Sequence, residues 1–209
     1  MKKIVCIVFL TMLMVVPVMA QVTFGARVGG AYSCLVQKVE GMYEAGARFG
    51  FSVAGLVDIP LYKRLSLRPE VAFVHQGGSF ISNYQVDGAK NSLYKCRYHS
   101  IQIPVNLAYT FVIKDVQLGV FAGPALDFSL FGKMKTENQN VDIQFGQTKE
   151  ADLKSFDLGV SVGLRVDYRR YFFSVGAICG TLDRRSVKQE GESSLYQNNV
   201  TLSVGYMFR

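Results

Sequence analysis

Two histidines, His75 and His99, are the only imidazoles in the chain, and with Glu70 and Ser100 they are the residues whose types suit acid–base or nucleophilic chemistry. Two imidazoles held side by side could also ligate a metal. The spacing opposes the catalytic use. In an extended chain successive side chains point to opposite faces, so Ser100 faces away from His99 and Glu70 faces away from His75. A nucleophile and its base must lie within hydrogen-bond reach, and these four do not share a face. The expectation is two interfacial histidines, on the lipid-facing parity near the outer ends of adjacent strands. The chain contains no G-x-S-x-G, H-E-x-x-H, Walker or dinucleotide motif, and the reading is of no catalytic residue, no metal site and no cofactor.

The element that carries the pattern is the stretch 155–168, S-F-D-L-G-V-S-V-G-L-R-V-D-Y. Its apolar residues fall on one parity and Asp157, Gly159, Ser161, Gly163, Arg165 and Asp167 on the other, which is the period of a strand. The length of the apolar face, closed by an aromatic at each end, is that of a strand with lipid on one side and a polar lumen on the other. The same alternation recurs in runs at 22–34, 49–59, 65–77, 94–111, 116–130, 171–179 and 200–208, making eight.

The connections between these runs alternate long and short. Residues 60–64, 112–115 and 167–170 are tight turns, whereas 37–44, 78–93, 132–154 and 181–198 are longer and polar. The expected fold is therefore all-β: an eight-stranded antiparallel up-and-down transmembrane barrel, with short turns at the periplasmic end. Pro69, Pro104 and Pro124 oppose this, since each removes a ladder hydrogen bond from a barrel with no free edge, and bulges or gaps are expected there. A soluble lipocalin-like ligand binder, with its apolar parity turned inward, is the alternative fold reading.

Lys2 and Lys3 precede an apolar run that ends in Val18-Met19-Ala20, so residues 1–20 read as a cleaved secretory signal and 21–209 as one barrel domain. Without the two signal lysines the formal charge of +7 becomes +5, and its basic residues form no stripe, which argues against nucleic acid. Cys34, Cys96 and Cys179 remain after the signal, an odd number with no C-x-x-C pair, and read as small apolar residues. The inward parity carries Arg27, Asp58, Arg68, Glu70, Asp127, Asp157, Arg165 and Asp167. Paired across a narrow lumen these would form a polar plug, with Asp58 and Arg68 meeting across a tight turn.

Several of these pieces resemble the PorT-type outer-membrane barrels common in Bacteroidetes. The matching motifs are Gly25 and Gly29, L-R-P-E-V at 67–71, I-Q-I-P-V at 101–105, F-A-G-P at 121–124, D-L-G-V-S-V-G at 157–163 and L-S-V-G-Y-M-F at 202–208. The resemblance implies an integral outer-membrane barrel without catalytic signature, and it includes the three prolines. Phe208 resembles the terminal aromatic read by the barrel-assembly machinery, although Arg209 follows it. The implied partners are outer-membrane lipid, that machinery during insertion, and a protein bound at the extracellular loops, with a secretion or assembly accessory role as the finer expectation. A lipid-modifying enzyme built on the two histidines is the alternative.

Overall fold

Alternating sequences pair into hairpins wherever a tight turn permits. In the computed structural model this produces strands β1 (Thr23–Val39), β2 (Met42–Tyr62), β3 (Leu65–Ser82), β4 (Ser92–Ile113), β5 (Val116–Lys135), β6 (Asn140–Asp142), β7 (Phe156–Tyr168), β8 (Tyr171–Gly180) and β9 (Leu195–Phe208). The structure describes residues 22–39, 42–82, 92–135, 140–148, 151–186 and 193–208. The signal expected at 1–20 and the terminal Arg209 lie outside the described residues.

Eight strands form a closed antiparallel ring. Their order is β4-β3-β2-β1-β9-β8-β7-β5, and β4 pairs with β5 to complete the circuit, while the three-residue β6 adds to the outer end of β5. The first and last strands pair from Phe24↔Phe208 to Gln37↔Leu195, so neither is left as an edge. The three short turns each carry one non-glycine residue in the left-handed region, Lys63, Lys114 and Arg169, as two-residue hairpins require.

The two faces of the wall are inverted relative to a soluble protein. On β7, Asp157 is 3% exposed, whereas Leu158 beside it is 39% exposed and Leu164 is 53% exposed. Polar residues fill the inside and apolar ones cover the outside.

All three prolines lie where the ladder is interrupted without change of register. Pairing skips residues 57–58 against 68–69, 70–71 against 103–104, and 105–106 against 123–124. Each proline keeps its pairing on the other side, as Pro69↔Val105, Pro104↔Ala125 and Pro124↔Val160. The three gaps step across neighbouring strands, so missing donors face missing pairs. The register shifts fall elsewhere: two lie between β2 and β3, at Gly46/Ser52 and Pro60/Tyr62, and one lies where His99-Ser100 of β4 oppose Phe131 and Ser129 of β5. The extra residue puts Leu130 and Phe131 side by side on the outer face.

Three connections differ from the sequence reading. β1 and β2 run on to Val39 and from Met42, β3 to Ser82 and β4 from Ser92, so the strands continue well into the regions expected as loops. His75 and His99 consequently lie inside strands rather than near their outer ends. The segment 132–154 is not simply polar loop either. β5 continues to Lys135, and Ile143 and Leu153 are buried in an apolar cluster with Leu35, Phe80, Tyr94, Cys96, Tyr98, Met134 and Leu195 at the loop end of the barrel.

Two of the inward aromatic rings, Phe121 and Phe172, lie against glycines that make room for them. The Phe121 ring lies over Gly163 and Gly176, and the Phe172 ring over Gly205. A Cβ at Gly163 would collide with the Phe121 ring and with the Val175 carbonyl. Gly163→Val should therefore lower the urea midpoint of the refolded protein by about 2–3 kcal/mol equivalent, as overpacking does. Gly55→Ala, at a glycine with open space around it, should leave the midpoint unchanged. Equal midpoints for the two variants would show that the Phe121 packing is not tight.

Candidate functional site

A narrow ring of eight strands leaves an interior that side chains can fill, so the site is built from the inward parity. At the turn end Arg68 Nε donates to Asp58 Oδ2 at 2.7 Å, the contact expected across the tight turn. Arg165 Nε donates to both carboxylate oxygens of Asp167 at 3.0 Å, and its guanidinium lies 3.7 Å from the centroid of the Phe172 ring. Leu56, Phe172 and Met207 pack around these groups.

One layer further in, Arg27 Nε donates to Glu70 Oε1 at 2.9 Å, and its Nη1 reaches Ser52 and Ser203 on the two flanking strands. Above it Gln76 and Gln102 both donate to Asp127 Oδ2, at 2.8 and 2.7 Å, and Asn199 donates to Gln76. The structure thus places all eight sequence-nominated residues on the inner face. It brings six of them into three ion pairs, Arg27–Glu70, Asp58–Arg68 and Arg165–Asp167.

The remaining two, Asp127 and Asp157, sit directly opposite one another on β5 and β7. Like charges in that position repel. Arg184, from the connection between β8 and β9, enters the barrel mouth beside them. Its Nη2 donates to Ser129 Oγ at 2.6 Å, its guanidinium lies 5.8 Å from the Tyr98 ring centroid, and it is 1% exposed. It is also within electrostatic reach of Asp157. The eight nominated residues comprise three arginines and five carboxylates, and Arg184 with Arg185 makes the count even.

Segment 181–186 is sewn across the mouth. Asp157 Oδ1 accepts from Leu182 N, Arg184 O accepts from Lys154 N, and Arg184 N donates to Leu195 O. Arg185 Nη2 donates to Gln37 and to the Ile81 carbonyl, which ties the segment to β1 and β3. Sequence reasoning missed Arg184, Arg185 and the Gln76–Gln102–Asn199 amides. The amides have inward parity and could have been found by admitting neutral polar residues. The arginines lie in irregular chain, where period carries no signal.

His75 and His99 pair directly across β3 and β4 on the outer face, with ring centroids 4.8 Å apart. Phe51 stacks on His75, Phe73 on His99, and Phe131 lies 4.8 Å from His99. Ser100 points inward to Gln76, and Glu70 inward to Arg27. The four candidate catalytic groups are therefore divided between two sides of the wall. Among the described residues, no cluster of His, Cys, Asp and Glu is suited to a metal ion. Cys34, Cys96 and Cys179 are free thiols.

Residues 19–179 match the family described as outer membrane protein beta-barrel domain. The chain belongs to that family. It is an integral outer-membrane barrel, and the short turns accordingly face the periplasm. No match appears among curated protein sequences. Among solved structures it is similar to Ail, the attachment invasion locus protein of Yersinia pestis, at 13% identity over 90% of this chain and 99% of that one, with a TM-score of 0.48. It is similar also to Neisserial surface protein A, at 13% identity over 88% and 97% with a TM-score of 0.47. OprG of Pseudomonas aeruginosa is 13% identical over 90% and 96%, with a TM-score of 0.45.

In the membrane the outward aromatics form two girdles. Tyr109 with Phe111, and Tyr171 with Tyr206 and Phe208, make edge contacts at the periplasmic side. Tyr32 with Phe49, Phe51 with Phe73, and Phe128 with Phe156 make tilted contacts at the outer side.

Removing Arg184 leaves two opposed carboxylates without their cation. Arg184→Gln should loosen the cap by about 3 kcal/mol, so that trypsin cuts the 181–199 region roughly a hundredfold faster through local opening. Adding Asp157→Asn should restore most of the protection. Unchanged cleavage in Arg184→Gln would mean that the cap does not depend on this charge.

Proposed function

We propose that the protein is a non-enzymatic outer-membrane barrel with a closed lumen, which acts by structure or by binding at its extracellular rim. The observation that carries this reading is the side-chain packing of the lumen between a cavity of about 440 Å³ at its periplasmic mouth, beside Asp58 and Arg68, and the extracellular cap. Ion pairs fill the periplasmic half, an amide and serine layer the middle, and Arg184 with an apolar cluster the outer mouth. The central cavity beside Phe121 and Arg165 is about 60 Å³, room for a few waters rather than a passage.

With the lumen closed, the surface left for a soluble partner is the extracellular rim of the connections expected at 78–93, 132–154 and 181–198, of which residues 78–82, 92–93, 132–135, 140–148, 151–154, 181–186 and 193–198 are described. Buried Ile143, Leu153, Arg184 and Arg185 hold parts of that rim in fixed positions, which favours a shaped contact surface. The kinship with PorT-type barrels, and with it a secretion or assembly accessory role, is the finer part of the proposal. It is supported by the proline motifs L-R-P-E-V, I-Q-I-P-V and F-A-G-P, each of which supplies the proline at one of the three aligned gaps in the ladder. Export through a signal at residues 1–20 belongs to the same proposal.

The reconstituted protein should show no steady single-channel conductance in planar bilayers, and a stable open level would contradict the closed lumen. Replacing His75 and His99 together with alanine should leave the lipid A species of the producing cells unchanged by mass spectrometry. An altered lipid A profile would favour the enzymatic alternative.

A further inference from the structure

Among the described residues, charge on the outer wall is unevenly spread. The outward residues of β7, β8 and β9, from Phe156 and Leu158 through Phe173 and Val175 to Val204 and Tyr206, include no lysine, arginine or acid. On β4 and β5 four cations stand together, and they are set against one another. Lys95 pairs directly with Lys135, and Arg97 with Lys133, all four exposed. Like charges directly opposite each other on a sheet are destabilising, so neither pair is explained by the stability of the barrel. Among the described residues the carboxylate paired with this ladder is Asp142, whose Oδ1 lies 3.8 Å from Lys133 Nζ with both groups well exposed.

The height of this ladder matters. Below it on β4 the outward residues Ile101, Ile103, Val105, Leu107 and Tyr109 are all apolar or aromatic. The ten steps from Tyr109 to His99, at about 3.3 Å each and tilted about 40°, rise roughly 25 Å, the thickness of the apolar band of such barrels. The cations therefore begin where the hydrocarbon ends in the outer leaflet. Directly beneath them lie His99, His75 and Phe131, and the bulge that sets Leu130 beside Phe131 opens a groove. That groove, of about 590 Å³, is lined by Arg97, His99, Leu130, Phe131, Gly132, Lys133, Asp142 and Ile143. It is cationic at the top and apolar at the bottom.

We propose that this face of β4 and β5 binds a phosphorylated lipid of the outer leaflet, its phosphate between the Arg97–Lys133 and Lys95–Lys135 pairs and its acyl chains against Leu130, Phe131 and Ile101. An anion between opposed cations removes their repulsion, and Arg97 supplies a forked donor suited to phosphate. The apolar floor of the groove selects an amphiphile over a free anion. This site lies on the membrane-facing wall and is independent of what the extracellular rim binds.

The test uses the full barrel in a neutral detergent, with binding read by native mass spectrometry and thermal midpoint by circular dichroism. The probes are diphosphorylated lipid A, phosphatidylcholine and inorganic phosphate. Lipid A should bind and raise the midpoint, while the other two do neither. The double variant Arg97→Gln/Lys133→Gln should weaken lipid A binding roughly tenfold or more, at roughly fivefold per surface cation. Without lipid its midpoint should equal or exceed that of the natural chain, because repulsion has been removed. Lys63→Gln/Lys114→Gln, in the periplasmic turns, should bind lipid A as the natural chain does.

Equal lipid A binding by the Arg97/Lys133 variant would overturn the proposal. So would a lipid-free midpoint lowered by the double variant and by Arg97→Gln alone, which would make the ladder a structural feature. Binding of inorganic phosphate at comparable strength would make it a free-anion site and overturn the lipid assignment.

Discussion

A bilayer core offers backbone groups no water, so every amide that crosses it must find its partner within the chain. The pairing of β1 with β9 meets that demand, and the rest of the structure follows from it. Closing eight strands into a ring fixes a narrow interior, and the narrow interior obliges inward side chains to pack and pair. The prolines are accommodated under the same constraint. A lone proline in a closed ladder would orphan a carbonyl, but three at successive steps align the lost donors with interrupted pairs and preserve the register on either side.

Within the ring, charge balance connects the barrel to its cap. Three ion pairs satisfy themselves inside the wall, whereas Asp127 and Asp157 face each other and, among the described residues, accept hydrogen bonds from neutral amides and backbone. The cation that answers them, Arg184, comes from the irregular segment that crosses the extracellular mouth. Electrostatics in the lumen and the ordering of the rim are thus one interaction seen from two sides. The outer wall shows the converse case, since Lys95–Lys135 and Arg97–Lys133 are opposed, with Asp142 beside Lys133 among the described residues.

The architecture was legible because a period of two is a strong signal when one face meets lipid. The eight strands, the inward charges and the proximity of Asp58 to Arg68 all come from parity and turn length alone. Parity fails where the environment changes. Above the membrane both faces of a strand are wet, so the continuation of β3 to Ser82 and the start of β4 at Ser92 look like polar loop. Phe121 and Phe172 have inward parity, but their fit depends on Gly163, Gly176 and Gly205 of neighbouring strands, which pairing register alone reveals. Arg184 was invisible for a different reason: a residue in irregular chain is positioned by what it must neutralise.

The sheet is inverted, apolar outside and polar within, and refolding with and without detergent tests that inversion. The chain from Gln21 onward would be refolded in detergent and, separately, in plain buffer, then run unboiled and boiled on a cold SDS gel. The account predicts a compact, heat-modifiable species in detergent and aggregate in buffer. A soluble, compact monomer in buffer alone would contradict it, and would place the apolar parity inside the barrel.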